Sequence, residues 1–347
     1  MRPILGITMG DPSGIGPEIT AKALSSEDIY TCSRPLVIGS AKVIEQAIRI
    51  ANVDLTVNAL NDPQNAAYKF GVIDVLDQDI VDMSLLVHGK VSAQSGEAAY
   101  LAVEKAIELA MQDKVDATIT GPLNKEALNL AGHHYSGHTE IYAEKTGTKD
   151  YCMMLADGAL RVVHISTHVA LRDACDRVTK ERELKVIRIA DEVCKSLGIN
   201  SPRIAVAGLN PHAGENGLFG QEEIKEITPA INQAKSEGII VEGPVPPDTV
   251  FSKALGGQYD IVVAQYHDQG HIPLKVTGFQ YDYSTNKWKT VSGVNITLGL
   301  PIIRSAVDHG TAFGKAGKGT ANEESLINAI RYGIMLANDR LKKKHGF

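Results

Sequence analysis

Three histidines stand just past runs that read as buried strands: His168 in "ISTHVALRD", His212 in "GLNPHAGENG" and His267 in "AQYHDQGH". Neutral imidazoles converging from separate strands make a three-nitrogen metal site with an open coordination position. Each histidine taken singly more often caps or hydrogen-bonds its own loop. Three at equivalent strand ends, each beside other polar loop residues, favour a metal. Imidazole suits zinc first, with Mg, Mn or Co as possible substitutes. His88, His164 and His345 lack that setting and read as structural or surface residues.

A second group of residues suits an anion. In "SGHTEIYAEKTG", His138 and Thr139 stand at the expected start of a short helix. Free N–H groups and the positive end of the helix dipole favour an anion there, although Thr139 with Glu140 also makes an ordinary cap. Lys275, Asn295 and Arg304 follow later in the chain. Arginine offers a planar fork and lysine a point charge for a phosphate or carboxylate.

The third stretch is "GDPSGIGPEI", residues 10–19, after the apolar run "PILGITM". It lacks the third glycine of a dinucleotide fingerprint, because Ile19 stands there. Pro17 suits the first helical turn, and Glu18 suits the positive pole of that helix. Read alone, the stretch is a strand–turn–helix connection.

The elements that position these residues alternate. Buried strands are expected at 34–39, 115–121, 160–167, 203–210 and 259–267. Amphipathic helices are expected at 95–113, 178–198, 221–238 and 322–344, where apolar residues recur at three and four. Strand–helix alternation means an α/β fold with a largely parallel sheet, whose ligands bind beyond the carboxyl ends of the strands. The polar, aromatic stretch 276–293 reads as a surface loop or hairpin.

At 347 residues the chain suits two lobes rather than one core. The formal net charge of −6 gives no general affinity for nucleic acid or an anionic membrane. No apolar stretch is long enough to span a bilayer, and the N-terminus does not read as a secretory signal. Cys32, Cys152, Cys175 and Cys194 are scattered without a C-x-x-C pair, which favours a reducing cytoplasm.

Together these segments resemble a known family. "GDPSGIGPE", "GPLNKEAL", "GHTE", "STHVALRD", "GLNPHAGENG", "PPDTVF", "YHDQGHIPLK" and "GVNITLGLPIIRSAVDHGTA" occur in order along nearly the whole chain. They are similar to the signature segments of the 4-hydroxythreonine-4-phosphate dehydrogenase family. The resemblance implies a two-domain α/β/α fold of the isocitrate/isopropylmalate dehydrogenase type. The expected division is 1–125 with 294–347 as one domain, carrying the cofactor loop, and 126–293 as the other, carrying metal, substrate and dimer contacts. It also implies a homodimer with active sites at the subunit interface. The family's metal ligands map onto His168, His212 and His267, and its substrate contacts onto His138, Thr139, Lys275, Asn295 and Arg304.

"GDPSGIGPE" is then similar to the "GDGIGPE" loop of isopropylmalate dehydrogenases. "HGTAFGKAGKGTAN", residues 309–322, resembles their adenosine loop "HGSAPDIAGKGIAN". His309, Gly310, Thr311, Ala312 and Asn322 are accordingly expected to bind NAD or NADP. The implied reaction is oxidation of a secondary alcohol β to a carboxylate, followed by loss of CO₂. A general acid must protonate the resulting enolate, with Lys275 and Asp248 as the candidates. The implied substrates are 4-phosphooxy-L-threonine or a 4-phospho-D-threonate or erythronate. A carboxylated cis-dihydrodiol is the alternative substrate, and a zinc-dependent hydrolase is the alternative of another class. The stretch between Lys275 and Asn295 is longer than is usual in the family. Ser13 stands where alanine is common.

Overall fold

The computed structural model describes residues 2–284 and 287–346. The chain divides into two compact units, Met1–Lys149 with Leu300–Phe347, and Asp150–Gly299. The sequence-based division lay at 125 and 294. Segment 126–149 falls in the first unit because Leu128, Ile141 and Tyr142 are buried in one core with Tyr100 and Val103.

The first unit begins with β1 (Ile4–Thr8), α1 (Gly16–Ala23), α2 (Glu27–Cys32), β2 (Arg34–Gly39), α3 (Ala41–Ala51), β3 (Thr56–Leu60) and β4 (Val72–Asp77). It continues through α4 (Ala93–Met111), β5 (Ala117–Thr120), α5 (Lys125–Leu130) and α6 (His138–Lys145). The second unit holds β6 (Cys152–Asp157), β7 (Leu160–His164), α7 (Leu171–Asp176), α8 (Lys180–Ser196), β8 (Ile204–Ala207), α9 (Thr228–Ser236) and β9 (Val241–Val245). It is completed by α10 (Pro247–Leu255), β10 (Ile261–Ala264), α11 (His267–Gly278), β11 (Phe279–Asp282), β12 (Lys287–Val291) and β13 (Val294–Leu298). The chain then returns to the first unit with β14 (Arg304–Val307) and α12 (Glu324–His345).

Strands of the first unit pair in the order β3-β4-β2-β1-β5-β14, all in parallel. The central strands β1 and β2, covered on both faces, are mostly apolar and buried, as in "ILGIT" and "RPLVIG", whereas the edge strand β3, "TVNAL", is partly exposed. Side chains start the helices: Ser92 accepts the Ser95 N–H at α4, and Asn124 accepts the Ala127 N–H at α5.

In the second unit the order is β13-β6-β7-β10-β8-β9. β7, β10, β8 and β9 run parallel, while β6 runs antiparallel to both neighbours. The antiparallel β6 was not anticipated. Its signal is Asp157-Gly158, where Gly158 takes φ 53° in the tight connection to β7. The helix expected over 221–238 forms in two parts, a π-helical turn at Glu223–Ile227 and then α9. Pro229, which cannot donate an N–H, sits in the first turn of α9. Segment 276–293 ends α11 and then forms the antiparallel pair β11–β12; residues 285 and 286 lie outside the described residues. Both ends of this pair are held at Asp157: Ser292 Oγ donates to it at 2.5 Å, and Gly278 packs on its carboxylate.

Among the described residues, no helix is long and apolar enough to cross a membrane. All four cysteines are free thiols.

Candidate functional site

The first unit gathers an anion pocket from three elements. Arg304 opens β14 and is only 4 % exposed. Its Nη1 donates to Thr139 Oγ1 at 3.3 Å, and its Nη2 donates to Thr120 Oγ1 at 3.1 Å. Thr139 stands in the first turn of α6 and Thr120 ends β5. The guanidinium also lies over the Tyr142 ring, 5.6 Å from its centre. Burial lowers the Arg304 pKa to about 10, which leaves the group charged at neutral pH. Among the described residues, His138 Nε2 is enclosed without a hydrogen-bond partner. Burial first, and the Arg304 charge second, hold the His138 pKa well below the ordinary imidazole value. A neutral imidazole, a fixed cation, two hydroxyls and a helix N-terminus therefore share one place. Such a set fits a phosphate or a carboxylate.

The glycine-rich loop after β1 meets the loop after β14. Ile15 N–H donates to Thr311 O at 3.0 Å. Glu18 Oε1 accepts the Ala321 N–H at 2.8 Å, and Lys22 Nζ donates to the Gly319 and Ala321 carbonyls at 2.9 and 2.6 Å. Here the glycines make room for backbone. A Cβ on Gly14 would lie 2.9 Å from Thr311 Cβ, and one on Gly16 would lie 2.2 Å from Met9 O. Thr311 is thus buried against the first loop. Asn322 Oδ1 accepts the Glu324 N–H at 2.7 Å, just before α12. Gly310 and Ala312 are exposed, and open space lies where a Gly310 Cβ would stand. That bare backbone fits the close approach of a flat ring. His309 lies beside it, with Nδ1 against Gly310 O at 2.9 Å.

The second unit brings two of the three expected metal ligands together. His168 follows β7 and His267 begins α11, their ring centres 5.7 Å apart. Both line a cavity of about 390 Å³ with Thr167, Tyr266 and Asp268. His267 also stacks on His271 at 3.6 Å, and His271 lies 4.8 Å from His164. Burial lowers the pKa of His164 to about 4 and of His271 to about 3. His212 lies elsewhere, in a turn whose residues 212–216 all have positive φ. That left-handed run is held by Glu223, which accepts the Asn210 N–H at 2.7 Å. Left-handed backbone at non-glycine residues is costly and collects at functional positions. Among the described residues, no group of three His, Cys, Asp or Glu side chains is placed to hold a metal ion. Two imidazoles on one cavity fit a divalent ion as part of a ligand set, and His212 does not complete it within one chain.

Lys275 is one helical turn beyond His271 on α11, its Nζ 3.8 Å from the Phe279 ring centre. Asn295 Nδ2 donates to Met153 Sδ at 2.8 Å. Asp248 is exposed in the first turn of α10. Sequence reasoning missed Thr120, Tyr142 and His271. Two of them carried a signal: Tyr142 is four residues after His138, and His271 four after His267, the spacing of one helix face. Thr120 carried none, since its place is set by strand pairing.

Residues 31–333 match the profile of the pyridoxal phosphate biosynthetic protein PdxA. The chain belongs to the PdxA family. It is 51% identical to the D-threonate 4-phosphate dehydrogenase of Salmonella typhimurium over 96% of this chain and 98% of the relative. A crystal structure of the 4-hydroxythreonine-4-phosphate dehydrogenase of Klebsiella pneumoniae matches with a TM-score of 0.83 at 43% identity, covering 97% of this chain and 98% of that one. A beta-decarboxylating dehydrogenase from Thermococcus kodakarensis shares the fold, with a TM-score of 0.53 at 15% identity over 98% of this chain and 84% of that one. The PdxA fold is thus α/β of the expected dehydrogenase type.

Proposed function

We propose that this PdxA-family protein is a dehydrogenase of a 4-phosphorylated 3-hydroxy acid. The substrate class is that of D-threonate 4-phosphate and 4-hydroxythreonine-4-phosphate, the compounds for which its relatives are named. The observation that carries this reading is the buried Arg304 guanidinium beside Thr120, Thr139 and His138. A cation buried beside neutral hydroxyls favours a ligand that brings negative charge. Arg304 and the first turn of α6 bind the phosphate. Thr139 orients it, and a neutral His138 offers one further hydrogen bond.

When bound, NAD or NADP supplies the hydride acceptor and a divalent metal, zinc first, supplies a Lewis acid. The exposed backbone at Gly310 and Ala312 takes the adenosine. His168 and His267 contribute to the metal, with His212 supplied by the second copy of a homodimer. Loss of CO₂ from the β-keto acid leaves an enolate. Lys275 is the better proton donor of the two candidates, because it lies on the helix face that starts with His267 and His271. Asn295 holds the carboxylate end.

The test is kcat/KM for wild type and Arg304→Ala with the phosphorylated and dephosphorylated acids. Truncation is expected to cost about 2–5 kcal/mol with the phosphorylated substrate. Little loss is expected with the other, since both changes remove one interaction. Arg304→Lys keeps the charge without the fork and should lie between. Equal losses on both substrates would assign Arg304 to the carboxylate, and a wild-type preference for the dephosphorylated acid would remove the phosphate reading.

A further inference from the structure

Behind the histidine-bearing loops lies a buried carboxyl group that the chemistry above does not use. Glu183, on α8, has no exposed surface. Neither of its oxygens accepts a hydrogen bond among the described residues. It faces Gln265, whose Oε1 is likewise enclosed without a donor. Turning the Gln265 amide does not help. Its Nε2 donates to Ala207 O at 2.8 Å, and a turned amide would set oxygen against oxygen there. Three acceptor oxygens on these two facing side chains are therefore enclosed in the interior without a donor among the described residues. Leaving them so, with a full charge on one, is expensive. A proton on Glu183 makes it the donor that Gln265 Oε1 lacks.

Gln265 ties three strand ends. Its N–H donates to Gln269 Oε1 at 2.7 Å, and its carbonyl accepts from Ser166 Oγ at 3.2 Å. Gln269 Nε2 donates to Gly208 O at 2.8 Å. The tied segments follow β7, β8 and β10, the strands from which His168, His212 and His267 emerge. We propose that Glu183 is held protonated and, by donating to Gln265, fixes the three loops that carry these histidines. It is a positioning residue, and its link to turnover rests on the function proposed above.

Burial pushes the Glu183 carboxyl up to about 8, against smaller lowering effects of Gln265 and Arg182. The charged groups around it are few. Arg182, on the same helix, donates to the carbonyls of Ile165 and Tyr151. From the π-helical turn, Glu223 is held by Asn210 and Glu226 accepts the Lys180 N–H. Lys225 of that turn is exposed. α9 buries only Ala230, Ile231 and Ala234. β8 and β10 are apolar throughout, "IAVA" and "IVVA". His164 of β7 is on the opposite face of the sheet, in ring contact with His271. A carboxyl raised above its ordinary value stabilises the fold fully below pH 4.5, and that contribution is lost as pH rises through about 8.

The experiment compares wild type, Glu183→Gln and Glu183→Leu. Thermal unfolding is followed from pH 5 to pH 9, with kcat and KM over the same range. Backbone hydrogen exchange is followed at 165–169, 207–217 and 265–271. Glu183→Gln keeps a neutral donor. It should retain kcat within about threefold at pH 7 and lose the alkaline fall in melting temperature and kcat that wild type shows. Glu183→Leu removes the donor. It should lower kcat by about tenfold with KM nearly unchanged, and speed exchange in all three segments. Parallel unfolding profiles of wild type and Glu183→Gln would overturn the proton. Unchanged exchange in Glu183→Leu would overturn the positioning role. If Glu183→Leu does not fold, failure of Glu183→Gln to preserve kcat and wild-type exchange overturns it instead. A wild type inactive on every phosphorylated acid counts against the proposed function alone, because unfolding and exchange are read without turnover.

Discussion

At the scale of single residues, burial decides which titratable groups matter. Asp11 follows β1 and is fully buried, with one oxygen accepting the Ser13 N–H at 2.8 Å and the other unpartnered among the described residues. Burial raises its pKa to about 6, partly offset by that hydrogen bond. Its stabilising contribution is therefore complete below the ordinary 3.8 and is lost as pH rises through about 6. Asp11→Asn keeps the acceptor and removes the charge. Urea unfolding at pH 4.5 and pH 7 should show the variant gaining on wild type by at most on the order of 3 kcal/mol. Equal differences at the two pH values would mean that Asp11 does not titrate in this range. Nothing in "GDPSG" announced this, because the cost arises from what surrounds the carboxylate. His168 and His267 were expected just past strands and do line one cavity there, whereas the burial of Arg304 at the start of β14 had no sequence signal. Thr311 was legible as a loop residue, but its inward direction depends on Gly14, almost 300 residues earlier.

At the scale of elements, alternation of strands and helices was readable because each type has its own apolar period. Exceptions arose where a local signal outweighed the period. Pro229 divides the helix expected over 221–238, and Asp157-Gly158 turns the chain into an antiparallel strand. The loop "GDPSGIGPE" was readable only in part. Its three glycines suggested a phosphate cradle, whereas Gly14 and Gly16 serve backbone packing at two different places. Gly16→Ala puts a methyl 2.2 Å from a backbone oxygen that no rotamer can move. It should cost about 1–3 kcal/mol of unfolding free energy. Gly310→Ala meets open space and should leave stability within about 0.5 kcal/mol, while raising the KM for NAD or NADP if this loop holds adenosine. Matched denaturation curves for the two variants would show that the first loop has slack to absorb a Cβ.

At the scale of the whole molecule, the proposed metal site needs a third histidine beside His168 and His267. His168, His212 and His267 all belong to the second unit, yet that unit gathers only His168 and His267. The left-handed turn that carries His212 is fixed by Glu223 and Asn210, so reshaping it to reach the pair would break partly buried hydrogen bonds. In the proposed homodimer, a second copy related by a two-fold axis would present its own His212 to each His168–His267 pair, and the exchange would be reciprocal. That arrangement makes a prediction about mixtures. His212→Ala and His267→Ala should each be inactive as pure dimers. In a hybrid of the two, one site lacks both histidines and the other has its full set. Random mixing makes half of the dimers hybrids, so co-refolded or co-expressed variants should recover about a quarter of wild-type activity. Light scattering on the same samples should report a dimer. A mixture that stays inactive, while hybrids are demonstrably present, would place all three ligands within one chain and require the His212 turn to rearrange when metal binds.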